Sequence, residues 1–416
     1  MPAILLAVSY SPFKSVLSRF LRAESVVEAA NELAAHAKSQ QAPIQVRTAL
    51  VQVDAMVTDK SGNRIEHLSV GNFQLSEDDQ RQKLAAVDYF DVGKTQISPD
   101  AEPIFISLSD QNASQTLQMI GRDHRLIVLF FDKTTMYPDD LLRAVHAAQD
   151  FVKNEMTPAD LIAVATYAMD LTVTAGFTND RPTLDAALDS LIPGKAQQAG
   201  DQKSKLNTAV NKDSGTFEVE HSLLATTALT EMLGQIPGRK SVIHFTGGLI
   251  LTGRGGMNNL PALDAATNAA NDDNASLYEI DARGLVTICY DAVAPPAGRR
   301  GEAADASGPP QLNGDLPCAC IYVHIPGRQC QPVTASRNTL YTMAAETGGA
   351  MFTDMNDLRP MFKQVLDEST GYYLLSYESS NAKHDGTYRH ISVKLVGVPG
   401  GQVKYRPGYV APKDKK

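Results

Sequence analysis

The chain has 416 residues, a soft indication of two or three domains, and its 43% hydrophobic and 20% charged residues are a globular balance. A formal net charge of -9 supplies no basic surface for nucleic acid or anionic lipid. No stretch reaches the roughly 18 apolar residues of a membrane span.

Met1 to Tyr10 is a short apolar opening with no basic residue before it, and Lys14, Arg19 and Arg22 come too late for a secretory n-region. Val16, Phe20, Val27 and Leu33 lie among charges, the spacing of an amphipathic helix over 15–38. Residues 1–43 are therefore read as a helical or targeting segment. A start displaced from a true export signal is compatible with this pattern.

Residues 44–92 read as a β-module. Val46, Ala49, Val51, Val53, Ala55 and Val57 mark a strand, Asp59 to Asn63 form a turn around Gly62, and Phe73–Leu75 and Leu84–Phe90 add shorter strands. Residues 93–121 are polar and irregular and are read as a linker.

From Arg125 the texture changes. Six apolar residues, Leu126 to Phe131, run straight into Asp132, the pattern of a strand buried on both faces. Asp132 then stands at the carboxyl end of a central strand, where open α/β sheets place ligands. Thr134 and Thr135 add hydroxyls, and carboxylate with hydroxyl oxygens suits a hard cation such as Mg²⁺. Capping of the helix that follows Pro138, Asp139 and Asp140 is an equally good account of Asp132 on these residues alone.

Helix and strand patterns then alternate. Helices are expected over 141–156, 180–191, 218–233, 260–271, 338–347 and 357–370. Strands are expected over 160–167, 171–176, 240–246, 276–280 and 349–352, with 171–176 as an antiparallel edge. The fold class is α/β, a doubly wound and mostly parallel sheet spanning 122–370. All four cysteines, Cys289, Cys318, Cys320 and Cys330, lie in or beside a Pro-, Gly- and Ala-rich insert at 291–336. Disulfides in an oxidising compartment rank above a zinc site using Cys318, Cys320, His324 and Cys330, and zinc ranks above free thiols. Strand texture returns over 371–410. That piece and the 44–92 module each need a partner for an apolar face, so the two are expected to pack as one β-sandwich with the α/β domain inserted into it.

An Asp-x-Thr loop after the first strand of a doubly wound sheet resembles the von Willebrand factor type A domain, and its acidobacterial branch in particular. The resemblance rests on Val57–Gly62 with Asn72, Phe73, Glu77 and Asp78; on Phe177–Asp180, Gly238–Lys240 and Ile280–Leu285; and on Thr347–Gly349 and Arg406–Tyr409. It covers residues 44–410, and the order of these motifs makes it specific. It implies a metal-ion-dependent adhesion site of the pattern Asp-x-Ser/Thr-x-Ser, a Thr from a second loop, and an Asp after the fourth strand. Asp132 and Thr134 match, and Thr216 is the candidate second-loop Thr. Met136 stands where the second hydroxyl belongs, and Thr246-Gly247-Gly248 replaces Thr-Asp-Gly.

The expectation is thus Mg²⁺ binding that is weak or absent, strengthened by changing Met136 to Ser together with Gly247 to Asp. The expected function is a non-enzymatic adhesion or interaction module for an unknown protein partner, exported to the periplasm, envelope or medium. A hydrolase with an unrecognised site and a purely structural envelope protein are the alternatives. Ser241 and Ser276 lack nucleophile-elbow glycines, and Gly253–Gly256 lacks the ending of a P-loop.

Overall fold

The structure, a computed structural model, describes residues 50–94, 102–108, 124–192, 218–236, 238–251, 259–285 and 333–411. Thr216, the four cysteines and the N-terminal segment 1–43 lie outside these residues.

A seven-stranded sheet forms the centre of the α/β domain. Its strands are β5 (Phe105–Ile106), β6 (Arg125–Asp132), β7 (Asp160–Tyr167), β8 (Leu171–Thr178), β9 (Lys240–Thr246), β10 (Ala275–Asp281) and β11 (Met351–Phe352). The spatial order is β11-β10-β9-β6-β7-β8-β5. All neighbours are parallel except the pairs β7–β8 and β5–β8. Every residue of β6, β7, β9 and β10 is buried, as a strand covered on both faces requires.

Alternate residues of β6 feed two cores. Ile127, Leu129 and Phe131 pack with helices α1 (Pro138–Asn154), α2 (Arg181–Asp189) and α6 (Arg359–Thr370). Leu126, Val128 and Phe130 pack with α3 (Glu218–Leu233), α4 (Leu260–Asp272) and α5 (Val333–Glu346). Helix α1 shows why: Leu141, Ala144, Val145, Ala148, Phe151 and Val152 recur every three or four residues and are all buried. Pro138 opens that helix and two aspartates follow in its first turn, where the dipole favours them.

Residues 105–106 correct the linker expectation. They pair with Thr178 and Phe177 as the outermost strand, so β8 is not the edge. Helix α5 begins at Val333, inside the segment read as an irregular insert.

The flanking segments form a sandwich. One sheet has the order β14-β1-β12-β4, made of β14 (Gln402–Tyr405), β1 (Leu50–Thr58), β12 (Gly371–Glu378) and β4 (Leu84–Asp91). The other is β15-β13-β2-β3, made of β15 (Gly408–Val410), β13 (Tyr388–Leu395), β2 (Phe73–Glu77) and β3 (Gln80–Arg81). Val53 lies opposite Leu375 in the β1–β12 ladder. Val53, Ala55, Val57, Leu75, Tyr373, Leu375, Ile391 and Val393 share one core between the sheets. The two-residue β2–β3 turn places Asp78 and Asp79 at positive φ (47° and 64°), the hand that a tight hairpin demands.

The α/β domain enters and leaves this sandwich under restraint. Helix α6 ends at Thr370 and β12 begins at the next residue. The Arg125 guanidinium, at the start of β6, donates to Thr370 Oγ1 at 2.7 Å, and Lys404 of β14 meets Glu368 at 2.6 Å.

Candidate functional site

Chain order reverses on either side of β6, since β7 lies on one flank and β9 on the other. That reversal opens a crevice beyond the carboxyl ends of these strands. Asp132, the last residue of β6, stands there and is fully buried. Its Oδ1 accepts from the amide of Thr134 at 2.9 Å and from Thr134 Oγ1 at 2.5 Å. Its Oδ2 accepts from Ser222 Oγ, on α3, at 2.6 Å. A carboxylate bonded this way to the loop that follows it fixes that loop's path.

A second set of hydroxyls lies beside it. Thr135 Oγ1 is 2.9 Å from Thr246 Oγ1, at the end of β9, and accepts from the amide of Gly247 at 2.9 Å. Thr246 Oγ1 accepts from the amide of Gly248 at 3.1 Å. The loops after β6 and β9 are therefore joined directly. A Cβ on Gly247 would lie 2.1 Å from the carbonyl oxygen of Thr135, so the loops approach at a distance only glycine allows.

Met136 does not face this cluster. It is 9% exposed and belongs to the apolar core under α1. Asp139 is exposed, and Asp140 pairs with Arg143 at 3.3 Å within the first turn of α1. Burial pushes the Asp140 carboxyl above its ordinary pKa, with Arg143 opposing the shift.

Next along the crevice, Asp281 ends β10 level with Thr246. Arg283 meets it at 2.7 and 2.8 Å, Arg337 of α5 meets it at 2.8 Å, and Arg337 also holds Asp354 at 3.0 and 2.9 Å. One flank of the crevice is thus a closed ion-pair network. Among the described residues no three His, Cys, Asp or Glu side chains gather as a metal-binding group. The His244–Glu279 pair, 2.8 Å apart, is completely buried between β9 and β10, and His244 Nε2 has no hydrogen-bond partner.

Of the residues expected at the site, Asp132 and Thr134 come together, and Thr216 lies outside the described chain. Thr135 and Thr246, read in the sequence as a loop hydroxyl and as the start of the Thr246-Gly247-Gly248 motif, meet each other beside Asp132, whereas Ser222 was not foreseen. Helix α3 did carry a signal: Ser222, Thr226 and Thr230 recur every fourth residue and are all buried, an unusual hydroxyl stripe on a core-facing surface.

The strand order, the reversal at β6 and the Asp-x-Thr loop at its end together define the architecture. The inserted domain is a doubly wound α/β domain whose strand order and Asp-x-Thr loop resemble those of the von Willebrand factor type A domain. No family model matches the sequence, and no curated protein does. Solved structures do match. One is an aerotolerance-related membrane protein from Bacteroides fragilis, 14% identical, with 59% of this chain and 98% of that chain covered at a TM-score of 0.34. Another is proximal thread matrix protein 1 from the mussel byssus with a zinc-occupied MIDAS motif, 13% identical, with 62% of this chain and 48% of that one covered at a TM-score of 0.32. The ArnB paralog VWA2 from Sulfolobus acidocaldarius is 9% identical, with 87% and 76% covered at a TM-score of 0.29.

Proposed function

We propose that the protein is a non-enzymatic protein-interaction module whose type A crevice has lost the ability to hold a divalent cation tightly. The observation that carries this reading is the contact between Gly247 and the Thr135 carbonyl, which fills the space a second carboxylate would need. Mg²⁺ prefers six oxygens in octahedral array, several of them water, and one or two carboxylates. Among the described residues Asp132 is the single carboxylate in the hydroxyl cluster, and both its oxygens already accept hydrogen bonds from Thr134 and Ser222. If a cation entered, Asp132, Thr134 and Ser222 would supply its protein oxygens, with Thr216 as a further candidate from the second loop. Bound there, the cation would offer its open coordination position to an acidic side chain of a partner.

The partner is proposed to be a protein outside the cell. Four cysteines clustered in one segment suit an oxidising compartment. The absence of turnover is part of the same proposal: the buried His244–Glu279 pair touches no nucleophile, and Ser222 donates its proton to a carboxylate.

Calorimetry of the full chain with Mg²⁺ tests the reading. The expected result is no saturable heat, together with capture of an envelope partner that EDTA leaves unchanged. A saturable isotherm that disappears in Asp132→Asn, or turnover in a broad hydrolase screen, would overturn it.

A further inference from the structure

Strand β4 ends the sheet order β14-β1-β12-β4, and among the described residues its ladder partner is β12 alone. No backbone hydrogen bond from a described residue reaches its outer edge. The core is open on this flank as well. Val87 and Tyr89 pack against it and stay partly exposed, whereas Val53, Tyr373 and Leu375 of the two central strands are buried. An eight-residue edge with free backbone groups is a template for one more strand.

The sequence of this edge answers itself. Lys83-Leu84-Ala85-Ala86-Val87-Asp88, laid antiparallel against its own copy, sets Lys83 opposite Asp88, Leu84 opposite Val87 and Ala85 opposite Ala86. A two-fold axis between Ala85 and Ala86 makes each of these pairings occur twice. Directly opposed residues of an antiparallel pair share a face of the sheet. Leu84 and Val87 are three residues apart, which a regular strand would set on opposite faces. The register shift between Ser376 and Tyr377 in the β4–β12 ladder lets both join the sandwich core. Lys83 and Asp88 are both exposed, and neither is paired with an opposite charge among the described residues.

The position of the axis also leaves room for two chains. At the far end of β4, Asp91 lies opposite Gly371, the residue at which α6 passes into β12. The α/β domain is therefore joined at that end, and an axis at Ala85 and Ala86 sends the two α/β domains to opposite ends of the pair. We propose that β4 is the contact of a two-fold homodimer, in which residues 83–88 of two copies pair antiparallel and join their four-stranded sheets into one sheet of eight. The charges select the partner. A strand without a base and an acid in the reverse order leaves Lys83 or Asp88 facing an apolar or like-charged group. This pairing is independent of what the crevice at Asp132 binds.

Sedimentation equilibrium of the full chain over a range of concentrations tests this. The parent should equilibrate between one chain and two. Asp88→Lys and Lys83→Asp, both at exposed positions, each set like charges opposite one another twice and should weaken dimerisation about tenfold or more. Mixed in equal amounts, the two single variants should pair with each other, because one strand then carries two acids and the other two bases. The double variant, Lys83→Asp with Asp88→Lys, should dimerise as the parent does. The proposal is overturned if the parent stays a single chain at the highest soluble concentration. It is also overturned if both single variants dimerise like the parent, or if neither the mixture nor the double variant recovers the dimer.

Discussion

The carbonyl oxygen of Thr135 lies where a side chain on Gly247 would have to begin, 2.1 Å from its Cβ position. The loops after β6 and β9 therefore meet more closely than any side chain on Gly247 would permit. They are a packed contact, in which Thr135 Oγ1 takes the Gly247 amide and lies beside Thr246 Oγ1.

From this contact, Gly247→Ala should destabilise the protein by about 1–3 kcal/mol, the usual cost of overpacking. Denaturant unfolding checks it. Gly247→Asp, alone or with Met136→Ser, should not create tight Mg²⁺ binding, because the carboxylate would push the loops apart and Met136 would leave a cavity under α1. A Gly247→Ala protein as stable as its parent would show that the loops separate freely.

Arg125 should be a position of high sensitivity. Its guanidinium meets Asp160 at 2.5 Å, Thr370 at 2.7 Å and Thr157 at 3.1 Å, all at the base of β6. Arg125→Ala leaves Asp160 buried without its cation and should cost about 3–5 kcal/mol. Arg125→Met with Asp160→Leu should cost clearly less than the sum of the two single changes, since neither charge is then stranded. Denaturation of the double-mutant cycle reads the difference, and strict additivity would refute the argument.

Asp273 makes stability depend on pH. Burial pushes its carboxyl up to about 6, against the attraction of Lys240. The folded state therefore holds this proton more firmly than the unfolded chain, whose carboxyl titrates near pH 4. The resulting contribution is complete below about pH 4 and is lost as pH rises through 6. The Tm of the parent relative to Asp273→Asn should accordingly fall between pH 4 and pH 7. Parallel Tm–pH curves for the two proteins would contradict it.

What the chain disclosed before its fold was known follows the range of each interaction. The apolar run of β6 and the helix over 218–233 are local patterns, and both were legible. The sandwich was legible as well, because two sets of alternating apolar residues each lacked a covering face and Val53 and Leu375 supply it to one another. Strand β5 was not, since two residues carry no periodicity and only their pairing with β8 makes them a strand. At the site, Asp132 and Thr134 are two residues apart and were readable together. Ser222 reaches Asp132 from 90 residues away, and Thr246 reaches Thr135 from 111. Such partnerships are set by how α3 and β9 pack against β6, which no short window of sequence records. The close approach at Gly247 is of the same kind: the glycine was visible in the sequence, and the Thr135 carbonyl packed against it was not.

The position of β1 between β12 and β14 orders events during synthesis. The α/β domain is contiguous in sequence and can collapse as soon as its last helix emerges. Strand β1 leaves the ribosome first among the described strands and has no ladder partner until β12 follows. Glu77 likewise waits 300 residues for the hydroxyl of Tyr377. Throughout that interval β1 carries an unpaired edge and the apolar row Val53, Ala55 and Val57, the kind of segment that aggregates or recruits a chaperone. Translation stopped before β12 would yield a competent α/β domain tethered to an adhesive strand, so the solubility of nascent chains should rise sharply once residues 371–378 have emerged.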